Sequence, residues 1–128
     1  MKQNKKYMDR NVKKYLFDIA TAINCIEDYI GHPKIFANYE NNRQLQQAVE
    51  RNLEIIGEAA RRILETEPDI TISNARRIVN ARNRIIHGYD DIDNAEIWSI
   101  IINNLPVLKN EVEILLEQND QWKSNDNG

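Results

Sequence analysis

Apolar residues recur along this chain at spacings of three and four over stretches of about twenty residues, the period of a helix that buries one face. Val12, Leu16, Ile19, Ile23, Ile26 and Ile30 form one such series. Leu45, Val49, Leu53, Ile56, Ala60 and Ile63 form a second, and Ile97, Ile101, Leu105, Leu108, Val112 and Leu115 a last. Each series lies on one stripe of a helix and must cover itself against another stripe. No segment has a convincing strand pattern, and four glycines and three prolines leave little material for loops. The expected fold is therefore all-α, most simply an up-and-down bundle of four main helices. At 128 residues the chain can bury one modest core, so residues 1–118 are expected to form a single helical domain. Residues 119–128 are polar apart from Trp122 and are expected to be a disordered tail.

The first helix should run from about Tyr7 to Ile30 and stop at Gly31-His32-Pro33, where glycine suits the position after a helix and proline cannot continue one. A connector of about a dozen residues follows, with Ile35, Phe36 and Tyr39 to bury. The second helix should start near Asn41 or Asn42 and reach about Thr66, before Pro68. Gly57 in its middle costs up to about 1 kcal/mol against alanine, so it either allows a close helix crossing or is merely tolerated. A third helix is expected over Ser73 to His87, with Ser73 as N-cap and Gly88 as the stop. The fourth begins at Asp93-Asn94-Ala95-Glu96, which has capping-box spacing, and Pro106 should kink or split it near Ile102. Not every stripe need be covered within one chain, and a symmetric homodimer is the usual way to cover what remains.

No stretch approaches the roughly 20 apolar residues of a membrane helix, and the basic start leads into no signal-type apolar region, so a cytoplasmic protein is expected. The single Cys25 sits in the apolar pattern of the first helix and reads as a small buried residue. A net charge of −3 argues against a protein that coats nucleic acid through bulk positive field. The charge is nevertheless sorted. Between Asn74 and His87 lie Arg76, Arg77, Arg82 and Arg84 with no acid, and Asp90, Asp91 and Asp93 follow at once.

That sorted stretch ends in Arg82-Asn83-Arg84-Ile85-Ile86-His87-Gly88-Tyr89. An arginine is a permanent cation with a planar fork matched to phosphate oxygens, and histidine moves protons near neutrality. Together they suggest phosphodiester chemistry without a metal or other cofactor. On a helical wheel Ala75, Ile78, Val79, Ile85 and Ile86 share one face with Arg82 at its centre. A guanidinium there must meet a carboxylate such as Glu54 or Glu58, reach across a subunit boundary, or line a polar cleft awaiting an anion. Arg76, Asn80, Asn83 and His87 form an adjoining polar stripe. Taken singly, His87 could simply interact with the last carbonyls of its helix, and Tyr89 could be a core or surface aromatic.

The spacing Arg82, four residues, His87, one residue, Tyr89 resembles the R-x4-H-x-Y signature of HepT-like toxins in the HEPN superfamily of small helical ribonuclease domains. The resemblance extends to Leu53-Glu54-Ile55-Ile56-Gly57-Glu58-Ala59-Ala60, similar to the family's second-helix motif, and to Ile92-Asp93, Trp98 and Leu105-Pro106-Leu108, similar to its fourth helix. It departs from the family at Ile72-Ser73-Asn74, where a tryptophan is expected.

The resemblance implies a homodimeric toxin of a toxin–antitoxin pair, a metal-independent endoribonuclease acting on RNA such as tRNA. Arg82 then meets the scissile phosphate, and His87 is general base or acid for attack by the neighbouring 2′-hydroxyl. Asn83 is expected to orient His87 or a phosphate oxygen, and Arg76, Arg77 and Arg84 to bind flanking phosphates. The implied partner is a minimal nucleotidyltransferase antitoxin that silences the toxin by AMPylation of Tyr89. A competing reading is a non-catalytic helical module that binds a nucleotidyltransferase or nucleotides. A metal site on Glu54 and Glu58 is disfavoured, because the Glu-x-x-His spacing of bundle di-metal sites is absent and His32 reads as a loop residue.

Overall fold

The computed structural model describes the backbone of residues 9–87 and 93–127, and the side chains of that range up to residue 118. The described residues are all-α. In chain order they form α1 (Arg10–Ile30), α2 (Phe36–Glu40), α3 (Arg43–Thr66), α4 (Ala75–Ile86), α5 (Asn94–Ser99), a π-helical turn (Ile100–Asn104) and α6 (Leu105–Asn127).

The ends of these helices follow local chemistry. Asp9 caps α1 by accepting the Asn11 N–H at 2.8 Å, while Tyr7, the expected start, lies outside the described residues. Gly31 stops α1 with φ 70, and its N–H donates to the Glu27 carbonyl at 2.9 Å. Asn42 caps α3 through the Leu45 N–H. Asp93 caps α5 through the Glu96 N–H, but the capping box is only half made, because the Glu96 carboxylate turns to Arg84 instead. In the connector after α1, Tyr39 of α2 is fully buried, stacks 5.7 Å from Trp98 and fastens α2 to α5.

The three apolar series do what their spacing predicts. Val12, Leu16, Ile19, Ile23 and Ile26 of α1 meet Val49, Leu53, Ile56, Ala60 and Ile63 of α3 in one buried cluster with Ile97, Ile101, Leu105, Leu108 and Val112. Each fully buried Leu or Ile contributes about 1.5–3 kcal/mol, which makes this cluster the main source of stability. Helix α3 lies between α1 and α4, and α6 closes against α1. Cys25 departs from expectation, being half-buried.

Two further expectations change. Helix α4 starts at Ala75 instead of Ser73, and Ser73 is not its cap. Both the Ser73 N–H (2.8 Å) and its hydroxyl (2.6 Å) donate to the Glu111 carboxylate on α6, and Asn74 turns the chain with φ 66. Pro106, which has no N–H, splits the last helix as expected, but through one wide turn: the Leu105 N–H donates to the Ile100 carbonyl five residues back. Beyond it α6 continues to Asn127 through the segment expected to be disordered, a stretch with no glycine or proline to stop it. No helix among the described residues is long and apolar enough to cross a membrane.

Candidate active site

Arg82 projects from α4 onto α3 at the one place where α3 has no side chain. A Cβ built on Gly57 would stand 2.5 Å from the Arg82 Cβ, so the glycine permits a close crossing and gives the arginine stem its bed. The side chain is 20% exposed. Its Nη2 lies 3.0 Å from Glu58 Oε1 and its Nη1 donates to Asn83 Oδ1 at 3.0 Å. Of the routes open to a guanidinium in an apolar stripe, Arg82 takes the carboxylate, and it takes Glu58. Glu54 faces Arg51 instead, at 3.5 Å.

Glu58 is the hub of this arrangement. Besides Arg82 it accepts from Arg61 at 2.9 Å and from Arg62 at 2.8 Å, while Arg61 also reaches Glu65 at 2.6 Å. Hydrogen bonds from Arg61 and Arg62, with the positive charge of Arg61 and Arg82 behind them, hold the Glu58 carboxyl down to about 2. The spacing of Arg61 and Arg62 from Glu58, three and four residues, is the sequence signal of this cluster on one helix face.

The apolar face drawn on the wheel is partly corrected. Ala75, Ile78 and Ala81 are buried, whereas Ile86 is 43% exposed. Ile86 is the last residue of α4, one turn beyond Arg82 on the same face, and it is exposed because it borders an open cleft instead of the core. Tyr15 and Asp18 of α1, Glu54 and Glu58 of α3, and Arg82 and Ile86 of α4 line this cleft of about 290 Å3.

His87 terminates α4. Its N–H donates to the Asn83 carbonyl at 3.1 Å, and its side chain is exposed. Asn83 therefore meets His87 through its backbone, while its side-chain oxygen is occupied by Arg82, a partner not expected for it. Tyr89 lies outside the described residues.

Residues 19–115, which cover α3 and α4 and the second half of α1, match the family model described as ribonuclease HepT-like. The chain belongs to this family. Among its relatives, a Methanocaldococcus jannaschii protein whose name assigns it to the RNases is 36% identical over 110 residues, 83% of this chain and 97% of that one. A Thermococcus cleftensis protein whose name assigns it as a ribonuclease HepT is 35% identical over 112 residues, 84% of this chain and 98% of that one. No solved structure matches.

The arginines flanking the motif of this HepT-like chain are not equivalent. Arg84 Nη1 pairs with Glu96 Oε2 at 2.5 Å, half-buried, and ties α4 to α5 across residues 88–92. Arg77 lies at the surface with its Nη2 3.4 Å from Ser99 Oγ. Arg76 is exposed beside Arg61 and Val79 in a shallow hollow between α3 and α4. Expected alike to bind phosphate, they divide into a strut, Arg84, and two surface cations. Among the described residues no three His, Cys, Asp or Glu side chains gather in a way that could hold a metal ion.

Proposed function

We propose that this chain is the toxin of a toxin–antitoxin pair, a metal-independent endoribonuclease that works as a homodimer of four-helix units on RNA such as tRNA. The observation that carries the reading is the state of Arg82. A cation seated at a helix seam, with its stem bedded on Gly57 and its head steadied by Glu58 and Asn83, is preorganised to meet an anion. His87 ends the same helix with an exposed ring, within reach of solvent and of a substrate.

In this mechanism His87 removes the proton of a ribose 2′-hydroxyl, and the oxygen attacks the adjacent phosphorus. The bond to the 5′-oxygen breaks, leaving a 2′,3′-cyclic phosphate and a 5′-hydroxyl that takes up a proton. Arg82 offsets the charge that builds on the phosphate oxygens, Asn83 holds Arg82 in turn, and Arg76 and Arg77 engage neighbouring phosphates. The exposed Ile86 beside the cleft supports a subunit boundary there, since a symmetric contact covers such surface and brings two motifs together.

A minimal nucleotidyltransferase antitoxin is the proposed partner, transferring AMP from ATP to the Tyr89 hydroxyl with release of pyrophosphate. The added group is anionic and bulky and sits seven residues along the chain from Arg82, so modification is proposed to silence the site by competing with RNA phosphate for the arginine.

A second reading, a module that binds a nucleotidyltransferase or nucleotides without cutting RNA, draws on the same guanidinium already being compensated by Glu58. One experiment separates them. tRNA incubated with wild type or His87→Ala in the presence of EDTA is expected to be cut only by wild type and to yield cyclic-phosphate ends. Equal cleavage by both proteins removes His87 from the mechanism, and intact RNA in both favours the binding module.

A further inference from the structure

We infer that Glu58 is a positioning residue for Arg82, fixing its guanidinium at the α3–α4 seam in the orientation in which it meets the scissile phosphate. This inference rests on the catalytic reading of Arg82 given above.

Arginine loses about 2 kcal/mol of rotamer freedom when held in one geometry, so a catalytic guanidinium on a bare helix surface would spend little time correctly placed. Here three contacts remove that freedom. Gly57 admits the stem, Glu58 Oε1 stands 3.0 Å from Nη2, and Asn83 Oδ1 accepts from Nη1. A guanidinium has more donors than these two acceptors use, so the held group still has N–H to offer a phosphate.

The carboxylate is also arranged to let Arg82 share itself. Arg61 and Arg62 hold Glu58 from within α3, so when Arg82 leans toward an incoming anion the carboxylate is not left as an uncompensated charge. Asp18, Glu54 and Glu58 line the cleft with Arg51 and Arg82, so a phosphate is drawn there by the held guanidinium itself and not by a net positive field. Glu58 remains ionised throughout the neutral range, because its arginines hold the carboxyl down to about 2.

The two pairs inside α3 are exposed i,i+3 and i,i+4 bridges, with Arg61 and Arg62 side chains 38% and 50% exposed, and such bridges add little to stability. Of the three pairs only that with Arg82 crosses between helices. Losing Glu58 should therefore harm catalysis far more than folding.

The test compares wild type, Arg82→Ala, Glu58→Gln and the double variant in steady-state cleavage of a labelled tRNA. Glu58→Gln is expected to lower kcat roughly 10- to 100-fold with KM within about twofold, the signature of a misplaced transition-state contact. The double variant should be no slower than Arg82→Ala, since Glu58 acts through Arg82. Inactive Arg82→Ala beside fully active Glu58→Gln overturns the positioning role and leaves the ribonuclease reading intact. Full activity of Arg82→Ala, or no cleavage by wild type, instead defeats the catalytic reading.

A second measurement needs no RNA. The side-chain 15N signals of Arg82 should report hindered rotation in wild type and faster rotation in Glu58→Gln, where only the stem contact with Gly57 and the bond to Asn83 remain unaltered. Signals unchanged by the substitution overturn the inference, whatever the cleavage assay gives.

Discussion

Gly57 and Arg82 face each other across α3 and α4 with no room for another carbon: a Cβ on Gly57 would lie 2.5, 3.0 and 3.2 Å from the Cβ, Cγ and Cδ of Arg82. The nearest of these atoms is anchored to the α4 backbone, so rotation of the arginine cannot relieve the clash. Gly57→Ala gains about 1 kcal/mol of helix propensity and loses about 1–3 kcal/mol to overpacking. The second effect should win, giving a net loss of about 1 kcal/mol in urea unfolding. Cleavage should fall well beyond what that loss explains, because α4 moves and takes Arg82 with it.

The Glu58 carboxyl gives stability a small acid dependence, screened by the exposure of Arg61 and Arg62. Its value in the folded protein, about 2, lies below the ordinary 4.5, so ionised Glu58 stabilises the fold fully above pH 4.5 and loses that contribution as pH falls toward 2. The melting temperature of wild type should fall more steeply across that window than that of Glu58→Gln. Since Glu58 is ionised at every pH above it, an acid limb in cleavage near neutrality must belong to another group.

Much of this architecture was legible because it depends on period alone. The seams of α1, α3 and α6 and the split at Pro106 follow from spacing and from a missing N–H, and both lie in the sequence. What escaped depends on contacts between distant segments. Ser73 looks like a cap until Glu111, 38 residues away, takes its N–H and hydroxyl. Ile86 looks buried until α4 is seen to end there, beside an open cleft. Arg82 needed a partner on any reading. That the partner is Glu58, already shared with Arg61 and Arg62, required the register of α4 on α3.

The motif arginines should separate by salt dependence. Each phosphate contact to a single strand adds about 0.7 to the slope of log affinity against log salt. Arg76→Ala and Arg77→Ala, which remove exposed cations, should each lower that slope by about this amount and weaken binding evenly across RNA sequences. Arg84→Ala breaks the half-buried bridge to Glu96, so its main effect should be a loss of about 1 kcal/mol in stability. Filter binding at several salt concentrations, beside thermal melts, checks the division. An Arg84→Ala slope change equal to that of Arg76→Ala would contradict it.

Ser73 and Glu111 pin the entrance of α4 to α6, and the two bonds can be weighed separately. Glu111→Ala removes both and should cost about 1–2 kcal/mol, moderated by exposure. Ser73→Ala removes only the hydroxyl bond and should cost about half as much. Asn74, at φ 66, adds an independent element: Asn74→Ala places a less tolerant residue in the left-handed region and should cost about 1 kcal/mol, whereas Asn74→Gly should be neutral or stabilising. None of these side chains contacts Arg82 or His87, so tRNA cleavage by the folded variants should match wild type. Equal losses for Ser73→Ala and Glu111→Ala in urea unfolding would mean that the backbone bond contributes nothing, and that the hydroxyl alone holds α4 to α6.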